Sequence, residues 1–275
     1  MILKPFIFKL LLFFMIMAAA ISHAPNSISA SEKHFPADLV KQEEINRQHP
    51  PIPFIDTSSP KIKKIGKDTL QIGSVLLDKK ERFIKLSGKI NMRDGAVEYI
   101  ACTPYGKLHE SVLSIDADPY HIQIALLLLR AVPGNRPIEF QGAEQTPCGD
   151  PVALTVSWQN MGKDRVNYPI EKLLLNINSN ETMEKADWVF VGSQMIDGQF
   201  MAQQEGSIIA SFHDPFALID HRSISGSDDT FFHANKRILP PVGMPVELII
   251  HTVPDDAVRD RTRCKTIGEI NNGKK

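Results

Sequence analysis

Between Phe83 and Ile250 the chain is written in short apolar runs, each closed within a few residues by Gly, Pro, Asn or Asp. Only one run is long enough for a substantial helix, so the fold must be assembled mostly from strands joined by close turns. Phe83-Ile84-Lys85-Leu86 opens a strand, and Val97 to Thr103 reads as the next. After a turn at Tyr105-Gly106-Lys107, Leu108 to Ile115 reads as a third. Val152 to Trp158 and Trp188 to Val191 follow, and Asp197-Gly198 has the residues of a two-residue hairpin turn. Such spacing favours antiparallel pairing.

The long apolar run is led by Asp118-Pro119, a cap residue followed by a residue suited to the first helical position. Ile122, Ala125, Leu126 and Leu129 mark one face, and Ile124, Leu127 and Leu128 extend the apolar surface round it, which predicts a helix buried on most sides. Pro133-Gly134 ends it. Asp214-Pro215 predicts a second helix of the same kind. The two Asp-Pro elements are each preceded by a similar strand, Glu110-Ser111-Val112-Leu113-Ser114 and Gly206-Ser207-Ile208-Ile209-Ala210, at an offset of 96 residues. Pro147 to Val156 and Pro241 to Ile250 share five identities at an offset of 94. The expected fold class is therefore α+β: a mainly antiparallel sheet with two Asp-Pro-initiated helices. It is built by internal duplication of a strand-hairpin-helix-strand unit over about 83–158 and 173–252.

The ends read differently. Lys4 and Lys9 precede an uncharged apolar run of twelve residues, Leu10 to Ile21, and small residues follow at Ala24 and Ala30. This is the pattern of a secretory signal peptide over 1–30, and the run is shorter than the roughly 20 residues a membrane crossing needs. Pro36, Pro50, Pro51, Pro53 and Pro60, with Lys61, Lys63, Lys64 and Lys67, make 31–69 a Pro/Lys-rich tether. A charged tail fills 255–275, leaving 70–254 as the folded domain. Loss of the leader removes Lys4 and Lys9 and no acid, so the 31 basic residues fall to 29 against 32 acidic ones, a net charge of −3. That charge gives no general attraction to nucleic acid. An extracytoplasmic location, with no integral span after cleavage, is the expectation. Of Cys102, Cys148 and Cys264, an oxidising compartment permits one disulfide, with the pair left open. Three cysteines cannot supply the four thiolates of an ordinary iron–sulfur cluster, so none is expected.

No nucleophile elbow, zinc-protease helix motif, phosphate loop or calcium loop is present. The residues able to carry chemistry are His109, Glu110, Glu205, His213 and Asp214. On a strand His109 and Ser111 would share one face and Glu110 the other. In the repeat, Glu205 falls where His109 falls, and His213 precedes the second Asp-Pro cap. An approximate two-fold would gather the five into one cleft, as a divalent-metal set or an acid–base set. Asp116, Asp118, His121, Asp220, His221, Asp228 and Asp229 read as solvated turns and caps.

The strings Asn91-Met92-x-x-Gly95-x-Val97-Glu98-Tyr99, Gly106-Lys107-x-His109-Glu110-Ser111, Asp116-Ala117-Asp118-Pro119, Trp188-Val189-Phe190-x-Gly192-Ser193, Glu205-Gly206-Ser207-Ile208 and His213-Asp214-Pro215 resemble the YdjY-domain family of bacterial extracytoplasmic proteins. The resemblance spans about 80–252 and implies an envelope location, but no defined activity or catalytic residues. Some relatives are described in connection with ferredoxin-like proteins; this chain lacks the cysteine pattern for that. The expected function is a non-catalytic binding or assembly module with a protein or cell-envelope partner. The alternative is a metal-dependent hydrolase using the His/carboxylate set between the two repeats, with a divalent metal as its cofactor.

Overall fold

The computed structural model describes residues 61–160 and 162–253, together with residue 52. The segments read as signal peptide and charged tail, and most of the tether, lie outside the described residues.

Eight strands close into a barrel. In chain order they are β4 (Phe83–Ile90), β5 (Tyr99–Cys102), β6 (Ser111–Ile115), β7 (Asp150–Gln159), β10 (Trp188–Phe190), β13 (Ser207–Ala210), β14 (Ile219–His221) and β16 (Pro245–Thr252). Around the wall the order is β4-β16-β7-β10-β14-β13-β5-β6, and β6 returns to β4 through Gly88↔Ile115, Lys89↔Ser114 and Ile90↔Leu113. A meander of β1 (Ile62–Lys64), β2 (Thr69–Ile72) and β3 (Val75–Asp78) continues from β4, so β1 falls within the segment read as tether. Residues Phe83 to Lys85 of β4 pair with β3, and Gly88 to Ile90 pair with β6. Gly88 stands where one partner gives way to the other. A Cβ there would lie 2.4 Å from the Ser114 carbonyl oxygen, so closure of the ring needs a residue without a side chain. Off the wall, β8 (Arg165–Pro169) pairs with β7, β9 (Leu174–Asn176) with β15 (Phe232–Ala234), and β11 (Met195–Ile196) with β12 (Gln199–Phe200). The last pair turns on Asp197 and Gly198, both at positive φ, as the two-residue hairpin requires.

The core is aliphatic and continuous: Ile84, Leu86, Leu113, Ile115, Leu154, Val156, Ile208, Leu248 and Ile250 are all buried in it, with Trp188 and Phe190. Burying one such Leu or Ile stabilises by roughly 1.5–3 kcal/mol. α1 (Pro119–Leu128) packs on β3 and β4 and against α2 (Met201–Glu205). Ile122, Ala125, Leu126 and Leu129 are buried as expected, whereas Leu127 and Leu128 reach solvent. Asp118 occupies the cap position without a side-chain cap bond; its carboxylate pairs with His121 at 3.2 Å. The orphan amide of Tyr120 is satisfied by Gln203 Oε1 of α2, at 3.2 Å.

The expected α+β class is overturned. The sheet is a closed barrel, not an open mainly antiparallel layer, and β5–β6 and β13–β14 run parallel. Of the two Asp-Pro pairs expected to start helices, only the first does. Asp214 Oδ1 accepts from Phe216 N at 2.8 Å, and Ala217 N reaches back to the Asp214 carbonyl. That is an Asx-type turn, which competes with helix, and β14 starts at Ile219, too soon for a helix to form.

The strand pairings follow a two-fold pattern. Lys89 of β4 lies between Pro245 and Ser114; Val189 of β10 lies between Pro151 and Asp220. Pro151 and Pro245 are the residues matched at the offset of 94. The offset of 96 is not kept: β6 stands where β14 stands, and β13 where β5 stands. Ser114 thus corresponds to Asp220, and Glu205 does not correspond to His109.

Candidate functional site

Parallel neighbours cannot be joined by a tight hairpin, so the chain must cross over between them. It does so twice, over 103–110 between β5 and β6 and over 211–218 between β13 and β14. Because β5 pairs with β13, the two crossovers come from adjacent strands of the wall. Lys107, His109 and Glu110 lie on the first, and His213 and Asp214 on the second. Leu108–Glu110 is a 3-10 turn and not strand, so the alternation that would have separated His109 from Glu110 does not apply. His109 Nε2 is 3.4 Å from Glu110 Oε2.

Tyr99, fully buried at the start of β5, ties the crossovers together. Its hydroxyl donates to Asp214 Oδ2 at 2.8 Å and accepts from Lys107 Nζ at 3.0 Å. The same ammonium stands 5.1 Å from the Tyr99 ring centroid. Gln141 Nε2 reaches both Glu98 Oε2, at 2.8 Å, and the Tyr99 hydroxyl, at 3.3 Å. Glu98 and Glu110 are half-buried and within hydrogen-bonding reach of each other, with Asp229 near enough to act on both. Lys107 compensates these carboxylates only in part. Burial and the Glu110 charge push the Glu98 carboxyl up to about 7, and burial raises Glu110 against the pull of Lys107. Burial also raises Asp214, opposed by the bonds from Phe216 and Tyr99. Two carboxyl groups in one half-dry site titrate as a pair, and here the pair loses a proton around neutral pH.

Of the five residues expected to converge, Glu110, His109 and Asp214 do so here. Glu205 does not: it ends α2, and its backbone carbonyl meets Gly106 of the first crossover. His213 points the other way. It is 1% exposed, its Nδ1 lies 2.9 Å from Asp220 Oδ1, and its ring packs so closely on Gly226 that a Cβ there would be 2.4 Å away. Asp220 and His221, read as a solvated loop, are fully buried strand residues. Among the described residues, His213, Asp220 and His221 form the one group of three His, Cys, Asp or Glu side chains whose ligand atoms lie within 4.8 Å of one another. The expected set of five forms no such group. Glu98, Tyr99, Lys107 and Gln141 were missed because no spacing in sequence links them. Cys102 and Cys148 are buried and not bonded to each other; burial pushes the Cys102 thiol up to about 12. Cys264 lies outside the described residues. A cleft of about 360 Å³, lined by Asn176, Thr182, Lys185, Ile224 and Phe231 among others, touches none of the carboxylate cluster.

Fold and site together define a closed β-barrel with an acidic, half-buried cluster held between two crossover connections. The YdjY domain family model matches residues 75–251, more than half of the chain, and the protein belongs to that family. No curated protein and no solved structure matches it. Among the described residues no helix is long and apolar enough to cross a membrane.

Proposed function

We propose that the protein is an extracytoplasmic binding module that takes an ammonium or guanidinium group of a protein or envelope partner at the Glu98–Glu110 pair. The Lys4/Lys9 leader with its short apolar run supports the location. The observation that carries the reading is the half-buried, only partly compensated carboxylate pair. Its raised titration means that Lys107 and His109 do not fully offset the burial of two neighbouring carboxyls, and a further organic cation would. Gln141 and Glu98 offer acceptors. A metal-dependent hydrolase fits less well, since the cluster does not bring three ligand atoms together.

The test is calorimetric titration of the full chain with spermidine and with an Arg-bearing tetrapeptide, at pH 6.5 in buffers of different ionisation heat. Binding accompanied by proton release, weakened at least tenfold in Glu98→Gln/Glu110→Gln, is the expected result. No binding of either probe, or binding unchanged in the double variant, overturns the reading. One observation favours a second reading: a carboxyl near pH 7 is matched to general acid–base work. Turnover of an amide or ester by the wild type, lost in Glu98→Gln, is its signature.

A further inference from the structure

The buried trio of His213, Asp220 and His221 lies outside the carboxylate cluster, and its possible ligand atoms all lie within 4.8 Å of one another. We infer that it holds one divalent transition-metal ion, with Zn²⁺ the first choice. His221 is fully buried, and its Nε2 lies 2.9 Å from the Ser211 carbonyl oxygen. A carbonyl can only accept, so Nε2 carries the proton and Nδ1 keeps its lone pair. That Nδ1 has no hydrogen-bond partner. A buried acceptor left without a donor is uncommon in native structures and calls for a physical cause. A cation beside Asp220 supplies one.

The other two ligands fit. His213 Nδ1 and Asp220 Oδ1 are 2.9 Å apart. Two ligands each about 2.0–2.2 Å from one ion are separated by roughly 3.0 Å at a right angle and roughly 3.4 Å at a tetrahedral one, so the pair stands within about half an ångström of coordination distance. The ion therefore takes the place of the proton between these atoms. His213 then passes from the Nδ1–H to the Nε2–H tautomer, so no net proton is gained or lost. Two imidazoles and one carboxylate suit Zn²⁺ over Mg²⁺ or Ca²⁺, which prefer oxygen ligands alone.

The surroundings hold the ligands in place. Asp220 Oδ2 accepts from Asp214 N at 3.2 Å, Trp188 packs edge-on against the His221 ring at 5.2 Å, and Gly226 lies close against the His213 ring. Glu171 is buried close enough to act electrostatically on His221, and its Oε1 accepts from Trp188 Nε1 at 3.0 Å. It adds negative charge around a cation. The trio joins the second crossover to β14, so the ion would pin the crossover that carries Asp214. A site this enclosed is filled as the chain folds.

The experiment uses the full chain, purified without a metal-affinity tag and refolded with or without Zn²⁺ or Co²⁺. Expected are one ion per chain, a higher melting temperature with metal, and a four- or five-coordinate Co²⁺ absorption spectrum. Zinc-edge X-ray absorption should count two imidazole nitrogens. Uptake should fall at least tenfold in His221→Gln and in His213→Gln, with far-UV circular dichroism retained. If those variants do not fold, the imidazole count on the wild type decides. No uptake by the folded wild type overturns the proposal, as does a metal site without two imidazoles. Uptake lost in Glu110→Gln but kept in His221→Gln would place the ion at the carboxylate cluster and also overturns it.

Discussion

Replacing Glu98 by Gln should stabilise this protein, by an amount that grows as pH rises from about 4.5 to about 7. In the unfolded chain Glu98 titrates near 4.5; in the barrel burial and the Glu110 charge raise it to about 7. Between those values the native state binds more protons than the unfolded one. Stability therefore falls as pH rises through the window, and below pH 4.5 the group makes no difference. Without screening, the shift is equivalent to about 3 kcal/mol. Solvent reaches this half-buried group, which reduces the effect to about 1–2 kcal/mol. The substituted glutamine side chain keeps an acceptor for Gln141 and never carries the charge. Urea unfolding of wild type and variant at pH 5 and pH 8 reads the effect directly. The variant should exceed the wild type by about 1–2 kcal/mol at pH 8 and by only about a quarter of that at pH 5. Equal gains at both pH values, or a loss at pH 8, would refute the electrostatic argument. A stabilising change at a site of half-buried charge is also what a binding site predicts, because such sites keep unfavourable interactions for their ligand.

Three further outcomes follow from the same geometry. Tyr99→Phe removes the hydroxyl shared by Asp214, Lys107 and Gln141, leaves a buried carboxylate short of a donor, and should destabilise by about 1–3 kcal/mol in urea unfolding; a neutral result would show that the hydroxyl does not join the crossovers. Lys107→Ala removes the charge that lowers both carboxyls, so Glu98 and Glu110 should titrate higher by carboxyl NMR, and unchanged values would place the ammonium elsewhere. Gly88→Ala sets a Cβ against the Ser114 carbonyl at the β4–β6 seam and should lower stability by about 1–3 kcal/mol; a melting temperature equal to wild type would argue against closure there.

The sequence showed strands more readily than their closure. Phe83-Ile84-Lys85-Leu86, Val152 to Trp158 and Trp188 to Phe190 fall on observed strands, and Asp197-Gly198 makes the expected turn. Closure depends on which strand edge meets β6, and the only local sign of it is Gly88, one glycine inside an otherwise regular strand. Asp-Pro was ambiguous in a physical sense: the same pair begins α1 at Asp118 and makes an Asx turn at Asp214, and the distance to the next strand decides between them. His109, Glu110 and Asp214 were recognisable as chemistry-bearing residues. Glu98 and Tyr99 were not, because they are brought in by the β5–β13 pairing across more than a hundred residues. His221 was misread because an Asp-His pair looks like a loop, whereas β14 lies between two other wall strands.

The most direct test of the account is a carboxyl-carbon NMR titration of Glu98 and Glu110 in the full chain, free and with spermidine. The account predicts that Glu98 titrates near 7 when free, coupled to Glu110, and that both fall towards ordinary carboxylate values once the amine is bound. A free Glu98 that titrates near 4.5, or a pair whose titration the amine leaves unmoved, would contradict it.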